Sequence, residues 1–126
     1  MQTLILIGLF FCHFLGDFTF LSTQWMLRAK QKGKPLLPIL AHAGVHGLLM
    51  LIFLSFFQQI DSWMLLKLAA FQVVTHFIID VLKGRVKALY ATLQDSENRW
   101  YWTLYGFDQY LHALVIVAMS YYAGGF

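Results

Sequence analysis

Residues 36–57 read LLPILAHAGVHGLLMLIFLSFF. The run has no Asp, Glu, Lys or Arg, and it is as long as the roughly 20 residues a helix needs to cross about 30 Å of hydrocarbon. Two histidines, His42 and His46, interrupt it four residues apart. An ionisable group in a membrane helix is costly unless it is paired or used. This stretch therefore predicts a membrane span with part of a functional site inside it.

Three more apolar runs of similar length lie at about 2–21, 64–82 and 101–123. The first has no basic residue before it and no small-residue cleavage pattern, so it is expected to be retained rather than removed as a signal peptide. The connections are short. The expected fold is all-α, a single polytopic membrane domain over residues 1–126 built as an up-down-up-down four-helix bundle. Between spans three and four, Val86, Leu89, Tyr90 and Leu93 recur at helical spacing beside Arg85, Lys87, Asp95 and Glu97. That pattern predicts a short amphipathic interfacial helix. A continuation of span three into water fits the same residues.

Composition agrees. The chain is 60% apolar, 17% aromatic and 12% charged, against about 25% charged in a typical soluble domain. A disordered chain, a coiled coil and an ordinary soluble enzyme are excluded. Cys12 is the single cysteine, which excludes a disulfide framework and a thiolate zinc site. It is adjacent to His13 but about 100° around the helix and is expected to face lipid or to pack.

The net charge of +3 does not point to nucleic acid. Of nine basic residues, all but Lys67 fall in two loops: Arg28, Lys30, Lys32 and Lys34 in one, Lys83, Arg85, Lys87 and Arg99 in the other. Both loops lie on one side of the bundle, and the positive-inside rule makes that side cytoplasmic, with both termini outside. Trp25, Trp100, Tyr101 and Trp102 then mark the inner interface, and Trp63, Tyr121 and Tyr122 the outer one.

Each span carries one pair of ligand-type residues spaced i, i+4: His13 and Asp17, His42 and His46, His76 and Asp80, Asp108 and His112. That spacing puts both side chains of a pair on one helix face, one turn apart. Spans one and three run inward with their pairs in the later half. Spans two and four run outward with their pairs in the earlier half. All eight groups are thus expected at one depth, in the cytoplasmic half, where Gly16, Gly44 and Gly47 would let the helices approach closely.

Imidazoles and carboxylates without sulfur suit zinc, manganese or iron. Eight of them suit two divalent ions, as in soluble carboxylate–histidine bundles; a one-ion site with some aspartates orienting histidines also fits. Asp17, Asp80, Asp108 and Lys83 are the candidates for proton handling or substrate contact. Gln24, seven residues after Asp17, and Gln109, beside Asp108, are candidates to hydrogen-bond the ligands. For Lys83 and Gln24 an interfacial role fits as well, and Gln109 starts on the wrong face of an ideal helix.

The motifs HFLGDFTFLSTQW, HAGVH, HFIIDVLKGR and FDQYLH, in this order, resemble those of a family of small bacterial and phage membrane proteins catalogued as a domain of unknown function. The chain is more distantly similar to inner-membrane metal-dependent hydrolases. The resemblance covers nearly the whole chain. It implies roles for His13, Asp17, Gln24, His42, His46, His76, Asp80, Lys83, Asp108, Gln109 and His112, a location in the bacterial inner membrane, and no substrate.

These observations lead to an expected metal-dependent hydrolase acting on an amphiphilic phosphate- or acyl-containing molecule, anionic if the basic loops and Lys83 meet it. The alternatives are a metal or proton transporter, a non-haem di-iron oxidase, and an interaction subunit. A transporter needs polar residues in the outer half, where LILIGLFF and ALVIVAM offer none. The expected partners are the bilayer, the amphiphile and, in a homo-oligomer, further copies of the chain; nucleic acid is not among them.

Overall fold

The computed structural model describes residues 1–124. They form α1 (Gln2–Phe18), α2 (Gln24–Lys32), α3 (Leu36–Leu54), α4 (Ser62–Leu89), a 3₁₀ turn (Ala91–Leu93) and α5 (Arg99–Ala123), with no strand among the described residues. Local chemistry sets the starts. Thr23, Asp61 and Asn98 each accept a hydrogen bond from a backbone N–H of the first turn of α2, α4 and α5. Pro38 sits in the first turn of α3, where its missing N–H costs nothing. Gly33 stops α2 with φ of 67°, a conformation that favours glycine.

The four longer helices pack as a ring in which α1 touches α3 and α5, and α4 touches α3 and α5. Neighbours run antiparallel. The carbonyl of Gln2 meets Ser120 while His13 meets Gln109, and Gly8 faces Phe53 while Gly16 faces His46. Inward positions recur every three or four residues, such as Leu68, Gln72, His76, Asp80 and Gly84 on α4. At one end they are apolar: Ile5, Leu9, Met50, Leu54, Leu68, Ile116 and Met119 form a closed core. Toward the other end the same stripe turns into histidine and aspartate. A smaller apolar cluster of Ala29, Ile39 and Val81 lies beyond it.

The outside is the reverse. Phe14, Leu66 and Val117 are 50%, 56% and 50% exposed, while His76 and Asp80 are fully buried. Two helices, Leu36–Leu54 and Ser62–Leu89, are long and apolar enough to cross a membrane, and Gln2–Phe18 is apolar but shorter.

Of the two readings of the segment after the third run, the structure takes the continuation: α4 runs unbroken to Leu89 with no proline to stop it, and no interfacial α-helix follows, only the 3₁₀ turn. The short amphipathic helix lies between the first and second runs, as α2. It packs on α3 and α4 and buries Met26 and Ala29. There Gly84 meets Gly33: a Cβ at 84 would lie 2.3 Å from the Lys30 carbonyl oxygen and 2.4 Å from the Gly33 nitrogen. This close approach holds the end of α2 against α4, from where the Lys30 side chain reaches Asp17 and Asp80. The chain leaves α1 at Phe18 and turns at Thr19, three residues before the expected end of the first run.

Candidate metal centre

Side chains from all four ring helices meet on the axis. Asp17 Oδ1 lies 2.9 Å from His42 Nε2, 3.1 Å from His46 Nε2 and 3.7 Å from His76 Nε2. Asp80 Oδ1 lies 3.5 Å from His112 Nε2, which is 3.4 Å from Asp108 Oδ1. His13 Nε2 lies 3.4 Å from Asp17 Oδ2, and its ring sits 5.1 Å from that of His112. All eight residues expected from the sequence are therefore in one cluster, and every imidazole presents Nε2 to a carboxylate.

Three groups within it have ligand atoms close enough to share an ion: Asp17, His42, His46 and His76; His13, His76 and His112; and Asp80, Asp108 and His112. A tetrahedral ion with bonds of about 2.0–2.1 Å holds its ligands about 3.3 Å apart. The separations of 2.9–3.7 Å around Asp17 bracket that value, and those of 3.4–3.5 Å around His112 lie just above it. Both oxygens of Asp80, Oδ1 of Asp108 and Nε2 of His76 and His112 are buried without a hydrogen-bond partner among the described residues. They are near one another but not in hydrogen-bonding geometry. Asp80 Oδ2 has the Lys30 ammonium at 3.3 Å, whereas Asp80 Oδ1 and Asp108 Oδ1 lie by His112 Nε2 without a hydrogen bond. A buried carboxylate oxygen left so is expensive, and a bound cation would satisfy it. These buried groups could hold a metal ion.

The outer nitrogens are held in turn. The Ser22 hydroxyl donates to the Gly16 carbonyl at 2.8 Å and sits 3.2 Å from His42 Nδ1, so it accepts from an Nδ1–H and leaves Nε2 bare. The Gln72 amide contacts His76 Nδ1 at 3.3 Å. Fixing one ring nitrogen to present the other is how histidine ligands are oriented. Gly16 gives His46 its place: a Cβ there would lie 2.4 Å from the ring.

Two lysines enter. Lys83 Nζ donates to Asp108 Oδ2 at 2.8 Å, a partner its place in the sequence did not indicate. Lys30, counted from sequence only as a topology charge, reaches in from α2 to 3.3 Å from both Asp17 and Asp80 and 3.0 Å from His42 Nε2. Burial disfavours its ammonium, but Asp80, Asp17 and Asp108 more than offset this and hold its pKa above the ordinary lysine value. The available signal was that Met26, Ala29, Lys30 and Gly33 share one face of α2.

Gln109 belongs to the cluster despite its offset from Asp108: Oε1 lies 3.2 Å from His13 Nε2, and Nε2 donates to Asp108 at 3.1 Å and Asp17 at 3.4 Å. Gln24 does not. It is exposed at the start of α2, because the turn at Thr19 breaks the register that would have carried it below Asp17. Cys12 is packed, its thiol 3.7 Å from the Leu49 carbonyl. Gly47 lies against Val73, but nothing comes within 4 Å of a Cβ at Gly44, so that glycine is not a close-approach position.

A family model described as "Protein of unknown function (DUF3307)" matches residues 5–125. No curated protein and no solved structure matches the chain.

Proposed function

The chain belongs to the DUF3307 family, whose description assigns no activity, and from its site we propose that it is a membrane-embedded, metal-dependent hydrolase of an amphiphilic phosphate or acyl compound. The observation behind this is an inverted bundle. It buries five histidines, Asp80 and Asp108, several with ligand atoms that make no hydrogen bond, half-buries Asp17, and exposes Phe, Leu and Val around its outside. A soluble monomer does not expose apolar surface on that scale. We take all four ring helices as spans of the bacterial inner membrane. The basic ends, with α2, face the cytoplasm, both termini lie outside, and the bilayer is the first partner.

In this scheme Asp17, His42, His46 and His76 hold one zinc, manganese or iron ion, and Asp80, Asp108 and His112 hold a second, with His13 between them. Such ions, when bound, acidify water and polarise a phosphoryl or acyl oxygen. The residues do the rest. Hydrolysis joins a water oxygen to phosphorus or carbonyl carbon and breaks the bond to the departing oxygen. The proton that water loses passes to a carboxylate of the cluster and from there to the departing oxygen. Lys83, paired with Asp108, stands at the edge of the site to meet negative charge.

Transport is less well supported. Beyond the cluster the axis is filled by Ile5, Leu9, Met50, Leu54, Ile116 and Met119, all essentially inaccessible. A divalent ion would have to shed its water into that lining. The test is protein purified in nanodiscs, with metal content measured by elemental analysis and turnover followed across phosphate and acyl amphiphiles. One or two equivalents of metal are expected, with hydrolysis abolished by chelator and by Asp80→Asn. Saturable metal uptake into proteoliposomes, lost in the same variant and without turnover, would assign the site to transport.

A further inference from the structure

Two cavities meet at Lys83. One is a cleft of about 180 Å³ that opens beside α2; Asp17 and Gln109 line it together with Lys30, Lys83, Lys87 and Tyr105. The other is a groove of about 200 Å³ between α4 and α5, lined by Ile79, Leu82, Val86, Leu104, Phe107 and Leu111 and by Lys83 and Asp108, which bond each other; the surface it exposes is apolar. The stem of Lys83 lies along the groove, while its ammonium sits 5.2 Å from the Tyr105 ring on the cleft side and bonds Asp108. Lys87 is 4.8 Å from the Tyr101 ring, with no carboxylate within salt-bridge distance among the described residues.

The cleft walls carry three ammoniums, of which Lys30 and Lys83 are paired with aspartates and Lys87 is not. A neutral ester head would leave Lys87 without a counter-charge, whereas a phosphate monoester brings about −1.5 to −2 charges at pH 7. The groove runs along α4 from Ile79 to Val86, about 10 Å at 1.5 Å per residue, and its walls offer no hydrogen bond to a polar chain. Its outer rim is formed by residues on the exposed apolar face, Leu82, Val86 and Phe107 among them. It therefore opens sideways toward what we read as lipid.

We propose that the ligand is a single-chain phosphate amphiphile, with its phosphate in the lysine cleft above Asp17 and its chain in the α4–α5 groove. This rests on the hydrolase reading for its chemistry but not for its binding. The chain arrives from the bilayer between α4 and α5, and Lys83 is the hinge point at which the molecule changes from hydrocarbon to charge. Lys87 supplies the specificity for phosphate, since Lys30 and Lys83 are already shared with aspartates.

The experiment is competition against an NBD-labelled dodecyl phosphate in nanodiscs of zwitterionic lipid, with partition into empty discs subtracted, in metal-free and manganese-loaded protein. Dodecyl phosphate should displace the probe at about tenfold lower concentration than inorganic phosphate or dodecanoate. Leu111→Trp, which fills the groove, should weaken dodecyl phosphate about tenfold and leave inorganic phosphate unchanged. Lys87→Gln should weaken both. If Leu111→Trp fails to assemble, Val86→Trp places the same obstacle from the facing helix. Equal competition by dodecanoate, or a filled groove without effect, would overturn the proposal. Displacement as expected with no phosphate released under Zn, Mn or Fe would overturn the hydrolase reading and leave this ligand class standing.

Discussion

Gly16→Ala removes no ligand and adds one methyl group, yet it should disable metal binding. The new Cβ would stand 2.4 Å from His46 Cε1 and 2.5 Å from Nε2, where carbon contacts need about 3.5 Å. The ring must therefore move by about 1 Å. It has little freedom to do so in place, because it stacks on His76 at 3.8 Å and abuts His42 at 4.8 Å. Metal–ligand distances tolerate only about 0.2 Å, so His46 leaves the set around Asp17. We expect divalent-metal affinity to fall about 100-fold, the upper end of the loss for a disturbed supporting residue. Stability without metal should fall by about 0–2.5 kcal/mol, since a helix-interior Gly→Ala change gains about 0.5–1 kcal/mol and overpacking costs about 1–3 kcal/mol. Gly44→Ala is the control: nothing lies within 4 Å of its Cβ, so it should gain about 0.5–1 kcal/mol and bind metal as wild type does. The assay is competitive titration against a chromogenic chelator, with melting curves in the same nanodiscs with and without metal. Wild-type affinity in Gly16→Ala, or an equal loss in Gly44→Ala, would refute the placement of His46.

Lys30→Gln removes the ammonium that sits 3.3 Å from both Asp17 and Asp80. The metal-free protein should lose about 3–5 kcal/mol, the cost of breaking a buried pair, and a divalent ion should restore more than it does in wild type; an unchanged gap between metal-free and loaded melting temperatures would count against the assigned role. Gly84→Ala puts a methyl group 2.3 Å from backbone of α2, so it should cost about 1–3 kcal/mol and displace Lys30; neutral behaviour would mean that α2 does not pack there. Topology is tested by single thiols at Lys32 and Gly124 in a Cys12→Ser background. An impermeant reagent should label position 124 and spare position 32 in intact cells, and the opposite pattern would reverse the orientation.

The helices were legible where hydropathy and spacing alone decide. Residues 36–57 gave α3 to within three residues, because nothing in that run competes with an apolar helix. After the third run the residues fit both an interfacial helix and a continuation of the span, for a physical reason. A pattern such as Val86, Leu89 and Leu93 reports an apolar face, not where the axis breaks, and no proline or cap interrupts α4 before Tyr90. In 24–32 the decisive signals were the Thr23 cap and the Gly33 stop, which bound nine residues too polar to register as an apolar run.

The ligands were legible because each is contributed in a pair by a helix whose inward face the sequence already marks. The residues that surround them come from geometry between elements. Lys30 depends on Gly33 meeting Gly84, a contact no single helix encodes, and Gln109 reaches Asp17 and His13 only because its long amide spans the gap from α5 to α1.

Those additions change the electrostatics of the proposed site. Asp17, Asp80 and Asp108 against Lys30 and Lys83 leave one net negative charge if the imidazoles are neutral. One divalent ion would turn this to one positive charge and two ions to three, in a site where uncompensated charge is expensive. A neutral acyl ester cannot offset that, but a phosphate dianion would bring either state to within one charge of neutrality. Lysines and ions are then not rivals for the carboxylates. The lysines hold the empty cluster together, and with metal bound their charge becomes available to an anionic head, so metal loading should strengthen dodecyl phosphate binding more than it strengthens dodecanoate binding.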